Sequence, residues 1–331
     1  MNIYVDGMGG DNSPGEIVQG CIMAAKSFNR KICIIGEEQK LYAELDKQEY
    51  VKELIEVIPS LEVITNNEDP TIAIRRKKQS SLVIGLQRIK ADRRSILISA
   101  GSTGALLAGG TLIVGRIKGI QRPALTVMLP TKKGFSLLLD AGANVDCKAS
   151  YLQQFAIMSS IYVEELLGVT KPRVGLINIG SEEKKGNELT KETYGLLKET
   201  DVNFVGNIEA RDIPEGNADI LVCDGFTGNI ILKLMEGLGL FIFDALKKSI
   251  ISSTRAKIGG LLLKPALKIF KKRFDYTEVG GAPLLGVNGG IIKAHGNSDR
   301  KAIYNAIKQG IEFQEKNIID KISNKIVKVQ E

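Results

Sequence analysis

Short apolar runs rich in β-branched residues alternate with longer amphipathic runs along almost the whole chain. The short runs have the length of buried strands, and the longer runs have the apolar spacing of helices. Such alternation is typical of parallel βαβ units. It predicts strands at Asn2–Val5, Lys31–Ile35, Glu62–Thr65, Ser95–Ser99, Ala124–Leu129, Phe135–Leu139, Arg173–Ile177, Asn203–Val205, Ile220–Cys223 and Gly290–Lys293. It predicts helices at Pro14–Phe28, Ser80–Asp92, Thr103–Ile113, Ala149–Leu167, Asn187–Lys198, Thr227–Ile250 and Asp299–Ile322.

The pattern continues without an internal repeat, a low-complexity stretch or an obvious linker. With 331 residues, of which 44% are hydrophobic, the chain is long enough to bury a large core. We therefore expect one α/β domain over residues 1–331, with three layers: a mostly parallel sheet and helices on both of its faces. We also expect a central cleft in this domain.

Polar, glycine-rich turns follow six of the predicted strands. Glycines let backbone N–H groups face a ligand, and a helix start favours an anion. In open parallel sheets ligands bind at the carboxyl ends of the strands, so we expect these turns to converge on one crevice. The turns are Asp6–Asn12, Ser99–Gly104, Asp140–Asn144, Gly180–Asn187, Asp224–Asn229 and Ala294–Ser298.

Several common cofactor sites are missing from the sequence. The Asp6–Asn12 turn has neither the lysine and hydroxyl of a nucleotide phosphate loop nor the GxGxxG spacing of a dinucleotide site. The four cysteines form no CxxC pair, and a single histidine cannot complete a common zinc site. We therefore expect neither a cofactor nor a catalytic metal.

His295, the one histidine, is the first candidate for proton transfer near neutral pH, although a lone histidine is more often structural. Lys293 ends an apolar strand two residues earlier, so both side chains would face one side if the strand continued. Lys184 could neutralise an oxyanion, or could be a solvated loop charge. The sequence has no GxSxG nucleophile. Acyl transfer to a bound phosphate fits, because phosphate is itself the nucleophile and a thiolate leaves easily.

Together the turns resemble those of the PlsX-type phosphate acyltransferases of bacterial phospholipid synthesis. The resemblance covers nearly the whole chain, in order. It is carried by Val-Asp-Gly-Met-Gly-Gly-Asp from Val5, Ser-Ala-Gly-Ser-Thr-Gly-Ala from Ser99, Leu-Asp-Ala-Gly-Ala-Asn from Leu139, Asn-Ile-Gly-Ser-Glu-Glu-Lys-Lys-Gly-Asn from Asn178, Cys-Asp-Gly-Phe-Thr-Gly-Asn from Cys223, and Gly-Ala-Pro-Leu-Leu-Gly-Val-Asn-Gly from Gly281 through Lys-Ala-His-Gly-Asn-Ser.

The resemblance implies that a long-chain acyl group moves from acyl carrier protein to inorganic phosphate. The acyl phosphate would then serve a membrane-bound glycerol-3-phosphate acyltransferase. The resemblance also implies a homodimer and a fold similar to phosphotransacetylases and isocitrate dehydrogenase-like enzymes. Two alternatives remain: a phosphate acetyl- or butyryltransferase that uses acyl coenzyme A, and an NAD- and metal-dependent β-decarboxylating dehydrogenase. The dehydrogenase needs an aspartate cluster and an adenosine site, and the sequence supplies neither convincingly.

Under this hypothesis, the residue types in the turns suggest a role for each candidate residue. His295 would act as base toward phosphate or as donor to the thioester oxygen, and Lys293 and Lys184 would be its catalytic companions. Ser102 and Thr103, with Lys184 and Asn187, would hold phosphate, although Ser102 could equally be an ordinary helix cap. Several carboxylates would orient the loops. The predicted phosphate- or substrate-binding set is Asp6, Gly7, Gly9, Asp11, Ser102, Thr103, Asp140, Asn144, Asn187, Asp224, Asn229 and Asn297.

The net charge of +7 comes from one segment, residues 252–275, which carries seven basic residues between Ser252 and Arg273 and no acidic residue there. A helical wheel places most of its lysines opposite its leucines and phenylalanines. Three roles compete: a helix packed on its own core, contact with an anionic membrane, and docking of acidic acyl carrier protein. The residues predicted to contact the membrane are Leu262, Leu263, Lys264, Lys268, Phe270 and Lys271.

Three further expectations concern surroundings and partners. The chain start, Met-Asn-Ile-Tyr-Val-Asp-Gly, lacks the basic and apolar stretches of an export signal, so we expect a cytoplasmic protein that associates peripherally with the membrane. The predicted helix Thr227–Ile250 is interrupted by charges, which favours a buried helix over a membrane span, and a dimer interface is one place where it could be buried. The sequence shows no recognisable nucleic-acid-binding fold with a basic face. We therefore expect no nucleic-acid partner.

Overall fold

The structure is a computed structural model that describes residues 1–273 and 280–330. Its strands are β1 Ile3–Asp6, β2 Ile32–Gly36, β3 Ile55–Pro59, β4 Ile96–Ser99, β5 Ala124–Thr131, β6 Gly134–Leu139, β7 Arg173–Asn178, β8 Asn203–Glu209, β9 Ile220–Val222, β10 Ala282–Leu285 and β11 Gly290–Lys293. Its helices are α1 Gly15–Phe28, α2 Glu38–Leu45, α3 Pro70–Arg76, α4 Ser81–Ala91, α5 Thr103–Gly109, α6 Ala149–Leu167, α7 Glu188–Glu199, α8 Gly225–Ile251, α9 Thr254–Arg273, α10 Arg300–Glu315 and α11 Ile318–Gln330.

The eleven strands form one sheet in the order β3-β2-β1-β4-β11-β10-β5-β6-β9-β7-β8. Strands β3, β2, β1, β4 and β11 are parallel to one another, and so are β6, β9, β7 and β8. The three pairings between these groups, β11 with β10, β10 with β5 and β5 with β6, are all antiparallel. The two groups therefore point in opposite directions.

This reversal corrects one expectation. The carboxyl ends of β1, β4 and β11 lie at one edge of the sheet, whereas those of β6, β9 and β7 lie at the opposite edge. By strand direction, the six polar turns therefore divide into two groups of three, one at each edge. The expectation that all six converge on one crevice assumed that every strand ran in one direction, and the antiparallel pairings in the middle of the sheet reverse that direction.

Helices cover both faces of the sheet, and the predicted three-layer α/β fold with a mostly parallel sheet is confirmed. On one face of the first group, α1 packs closely on α10, where a Cβ at Gly20 would lie 2.6 Å from the Cβ of Ile303. The other face of that group is covered by α4 and α5. In the second group, α6 buries Phe155 and Tyr162 against the sheet.

Local differences from the predicted elements have identifiable causes. The predicted strand Glu62–Thr65 is wrong, because only an isolated bridge from Glu62 to Ser80 forms there. The edge strand β3 pairs in its place, and it is half exposed, so its apolar pattern is weak. Strand β10 was not predicted, because it contains Pro283 and proline is unfavourable inside a sheet. The predicted helix Asp299–Ile322 breaks at Asn317, whose φ of 53° is left-handed.

Candidate active site

A buried carboxylate joins the strand ends at the first edge of the sheet. Asp6, at the end of β1, is 3% exposed. Its Oδ1 accepts hydrogen bonds from the Ser81 hydroxyl at 2.6 Å and the Met8 N–H at 3.2 Å, and its Oδ2 accepts one from the Ser99 hydroxyl at 2.7 Å. These donors occupy the carboxylate, so Asp6 orients the turns around it. We call Asp6, Asp11, Ser81, Ser99, Lys293 and His295 the Lys293 cluster.

Lys293 ends β11 and is 8% exposed. Its ammonium donates hydrogen bonds to the carbonyl oxygens of Ala100, at 3.3 Å, and Ala294. Burial lowers the pKa of Lys293 to about 8, although the nearby carboxylates of Asp6 and Asp11 act in the opposite direction. A buried cation that loses its charge close to neutral pH is the kind of group that binds or neutralises an anion in an active site.

His295 follows β11, and its side chain is exposed. The protein around its ring removes enough water to lower the pKa of the imidazole, Glu236 raises it, and Lys233 lowers it. The Nδ1 atom accepts a hydrogen bond from the Asn297 N–H at 3.2 Å. An accepting nitrogen carries no proton, so the neutral ring carries its proton on Nε2. In this form His295 is a hydrogen-bond donor through Nε2.

Glycines allow the turns of this edge to touch one another. A Cβ at Gly9 would lie 2.5 Å from Oδ2 of Asp6 and 2.7 Å from the backbone nitrogen of Gly101. Gly10 has a φ of +98°, a conformation that favours glycine. The Asp11 N–H donates to the carbonyl of Gly296 at 2.8 Å. Of the predicted residues, Asp6, Gly9, Asp11, Lys293, His295 and Asn297 lie together at this edge, whereas Gly7 packs against β2 and α2.

Ser102 and Thr103 lie at this same edge, in the turn between β4 and α5. The Ser102 hydroxyl accepts a hydrogen bond from the Ala105 N–H at 3.4 Å, so it caps α5. The capping role that the sequence left open for Ser102 is therefore present. A capping hydroxyl keeps its own O–H, which remains a donor for a ligand.

A second buried carboxylate lies at the opposite edge, after β6. Oδ1 of Asp140 accepts from the N–H groups of Leu125, Gly142 and Ala143, and Oδ2 accepts from the backbone and side-chain nitrogens of Asn144. Burial raises the pKa of Asp140 despite these donors. The Gly225 N–H donates to the Asn144 carbonyl at 2.7 Å, which fastens this loop to the start of α8. Asp140 and Asn144 therefore hold a loop.

The other predicted residues of this edge also have structural partners. Asp224 caps α8 through the Thr227 N–H at 2.8 Å, and Asn187 caps α7 through the Thr190 N–H at 2.9 Å. Asn229 packs against Gly142. Lys184 is exposed in the loop after β7. Because β7 and β11 point in opposite directions, the structure does not place Lys184 in the Lys293 cluster.

Sequence reasoning missed three residues of this site. Ser81, at the start of α4, donates to Asp6, and no motif marks it. Lys233 and Glu236 lie on α8, form an ion pair at 2.8 Å and act electrostatically on His295. No sequence motif marks these two residues, because only the fold brings them near His295. Across residues 1–273 and 280–330, no group of three or more His, Cys, Asp or Glu side chains is placed to hold a metal ion.

The close approach at Gly9 predicts a large effect from one methyl group. Gly9→Ala would push against Asp6 and Gly101, and we expect it to destabilise the protein by about 2 kcal/mol. The matched control is Gly195→Ala on α7, where a Cβ would meet nothing within 4 Å and alanine favours the helix. Urea unfolding midpoints measure both. An equal effect of the two variants would contradict the packing described for Gly9.

Known proteins resemble this chain over nearly its whole length. The family model described as "Fatty acid synthesis protein" matches residues 1–321. The chain is 59% identical over 327 residues to a "Phosphate acyltransferase" of Clostridium novyi (strain NT), covering 98% of each chain. It is 55% identical to a "Phosphate acyltransferase" of Clostridium acetobutylicum, covering 98% of this chain and 99% of the relative.

A solved structure supports the fold independently. A phosphotransacetylase from Streptococcus pyogenes superimposes with a TM-score of 0.63 and 15% sequence identity, covering 94% of each chain. At that identity the likeness concerns the fold alone. The near-complete match to the family model and the high identity to the two clostridial relatives show that the chain belongs to the PlsX-type phosphate acyltransferases, the fatty acid synthesis protein family.

Proposed function

We propose that this enzyme transfers an acyl group from a thioester to inorganic phosphate, giving an acyl phosphate for phospholipid synthesis. The observation that carries the proposal is the buried Lys293 with its pKa of about 8, which lies at the strand ends near the carboxylates of Asp6 and Asp11. The names of the two clostridial relatives support the same chemistry. The reaction would take place in a single α/β acyltransferase domain with a central cleft.

The proposed step needs little covalent help from the protein. A phosphate oxygen attacks the thioester carbonyl carbon, a C–O bond forms, the C–S bond breaks and the sulfur leaves as thiolate. Lys293, with the hydroxyls of Ser102 and Thr103, would hold phosphate, and the Nε2–H of His295 would donate to the developing oxyanion. The donor role is favoured over the base role because the Nδ1 atom already accepts a backbone N–H.

The residues of the opposite edge receive other roles in this proposal. Asp140, Asn144, Asp224 and Asn229 orient loops through the contacts described above. Asn187 caps α7. Lys184 is exposed on the loop after β7, so it would contact a substrate only at the protein surface.

We further propose that the acyl donor is acyl carrier protein with a long acyl chain. The exposed basic side chains of Arg255, Lys257 and Lys264 on α9 would attract an acidic protein donor. In the alternative, acyl coenzyme A of short chain length would be the better substrate. Comparing the two thioesters at equal concentration distinguishes these functions.

The first test is thiol release from palmitoyl acyl carrier protein. We expect release only when phosphate is present, and we expect Lys293→Met to lower kcat/KM for phosphate by about 10²-fold, because it removes a preorganised cation. A thiol reagent follows the release, and hydroxylamine trapping identifies the acyl phosphate.

The outcomes of this assay separate the hypotheses. Release at an equal rate without phosphate would identify a thioesterase and overturn acyl transfer to phosphate. Faster turnover of acetyl or butyryl coenzyme A would favour the short-chain alternative. Full activity of Lys293→Met would remove the proposed role of that lysine.

The pKa of Lys293 predicts a pH profile. The ammonium is charged below about pH 8, so kcat/KM for phosphate should fall as pH rises through that value. The Asp6 carboxylate raises the pKa of Lys293, so Asp6→Asn should move the fall to lower pH. Initial rates from pH 6 to 9, corrected for hydrolysis of the thioester without enzyme, give the profile. An unchanged midpoint in Asp6→Asn would contradict the assignment to Lys293.

Helices α8 and α9 pack on one another and expose a broad apolar surface. Of its 27 residues, α8 buries only Gly225, Gly228 and Ile231. Leu240 is 71% exposed and Leu262 78% exposed. Exposed apolar surfaces of this kind mark contacts with proteins or membranes. We propose that α8 pairs with a second copy of the chain in a homodimer.

We propose that α9 contacts the anionic surface of the membrane from the cytoplasmic side, where a membrane-bound glycerol-3-phosphate acyltransferase would take up the poorly soluble product. Leu262 and Leu263 are exposed beside Lys264. The side chains of Lys268, Phe270 and Lys271 lie outside the described residues, as do residues 274 and 275 of the basic segment. None of the described helices is long and apolar enough to span a bilayer.

Sedimentation with vesicles of anionic phospholipid tests the membrane contact. We expect Leu262→Glu/Leu263→Glu to lower the partition coefficient by about 10²-fold, since each leucine contributes roughly 1.5 kcal/mol or more on burial. The control is Leu61→Glu, because Leu61 is 80% exposed and lies outside the α8–α9 surface. Undiminished binding of the double variant would exclude the membrane role and leave the acyl carrier protein as the partner of α9.

A further inference from the structure

The turn that carries His295 is tied to the turn that follows β1. Besides the backbone bond from Asp11 to Gly296, the side chain of Asn12 spans both turns. Its Nδ2 atom donates to Oδ1 of Asn297 at 3.0 Å and to the carbonyl of Ser298 at 3.3 Å. The two N–H bonds of one amide thus hold two consecutive residues of the histidine turn, which we define as residues 294–299.

Asn297, whose side chain Asn12 binds, determines which imidazole nitrogen of His295 carries the proton. The Asn297 N–H donates to Nδ1 of His295 at 3.2 Å, and the Ser298 N–H donates to the His295 carbonyl at 3.0 Å. Protonated Nδ1 could not accept this N–H, and two N–H groups would then face each other. The bond therefore selects the neutral ring with its proton on Nε2.

We propose that Asn12 is a positioning residue that keeps the Asn297 N–H directed at Nδ1 of His295 and thereby holds the imidazole in the Nε2–H tautomer. The significance of this tautomer for catalysis rests on the proposed function, in which Nε2–H donates to the thioester oxygen. The placement of the proton does not rest on it, because it follows from the hydrogen bonds alone.

Other contacts keep the two turns together when Asn12 is changed. Arg300 and Glu16 form a two-pronged ion pair at 2.7 and 3.0 Å, and Glu16 also accepts the Arg300 N–H at 2.7 Å. This ion pair joins the starts of α1 and α10. Asn12 itself is exposed, so its replacement leaves no cavity in the core. Loss of its amide should loosen the Asn297 peptide and leave the fold intact.

The charges that act on the imidazole stay in place in an Asn12 variant. They are Lys233 and Glu236 on α8, Lys293 on β11 and Asp11 in the turn after β1. Asn12→Ala removes no charge. A change in the titration or tautomer of His295 in this variant therefore reports the hydrogen bond to Nδ1 and not an altered electrostatic field.

Because the sequence has a single histidine, the protonation of His295 can be measured directly by nitrogen NMR. Protein labelled with ¹⁵N-histidine has two imidazole nitrogens, both from His295, so its nitrogen NMR spectrum needs no assignment. In the unchanged protein above the histidine pKa, we expect two well-separated shifts, one of an unprotonated nitrogen coupled as Nδ1 and one of a protonated Nε2. In Asn12→Ala we expect the two shifts to approach each other, as both tautomers become populated, and the pKa to rise.

Two further variants control this comparison. Arg300→Ala breaks the neighbouring ion pair and should leave both nitrogen shifts and the activity unchanged, which separates the effect of Asn12 from general loosening of the turns. Asn12→Ser keeps one hydroxyl donor and should give shifts between those of the unchanged protein and Asn12→Ala. Urea unfolding of each variant verifies that it is folded.

Kinetics separate this proposal from the proposed function. We expect Asn12→Ala to lower kcat for acyl phosphate formation about fivefold, with KM for phosphate unchanged. Unchanged nitrogen shifts in Asn12→Ala would overturn the positioning role, whatever the activity. Altered shifts with an unchanged kcat would support the positioning of the proton by Asn12 and overturn the donor role of His295 in the proposed function.

Discussion

The buried carboxylate of Asp6 is the interaction on which the rest of the candidate site depends. It lies at the end of β1 and accepts hydrogen bonds from Ser81 and Ser99, which belong to α4 and β4. A buried charge is costly unless it is paired and hydrogen-bonded, and this carboxylate has three donors and the nearby charge of Lys293. Strand ends from distant parts of the chain are therefore held in one arrangement. That arrangement keeps the Lys293 ammonium buried, which lowers its pKa to about 8.

The reversal of strand direction divides the polar turns into two classes. At the edge with Asp6, the turns contact one another through glycines, and Lys293 lies close enough to His295 to act on it electrostatically. At the opposite edge, Asp140 and Asp224 satisfy backbone N–H groups of their own loops. The same residue type thus has two uses. An Asp–Gly turn after a strand can organise a site or simply complete the hydrogen bonds of a loop.

Much of the fold could be predicted because the spacing of hydrophobic positions depends only on residues that are close together in the sequence. Long periodic elements such as α6, predicted and observed at Ala149–Leu167, agree to the residue. Elements with weak local signals were missed, such as the half-exposed edge strand β3 and the proline-containing β10. The missed β10 had the larger consequence. Without it the direction of the second group of strands cannot be derived, and the turns are assigned to one crevice.

The sequence by itself determined the α/β class, the polar turns at strand ends and the family. These depend on residue type and spacing within short segments. Only the tertiary structure decided which turns meet, that Ser81, Lys233 and Glu236 join them, and that Lys184 lies at the other edge. The physical reason is that burial, hydrogen-bond partners and neighbouring charges come from segments far apart in the chain. Asn12 and His295, separated by more than 280 residues, are joined only when the sheet has formed.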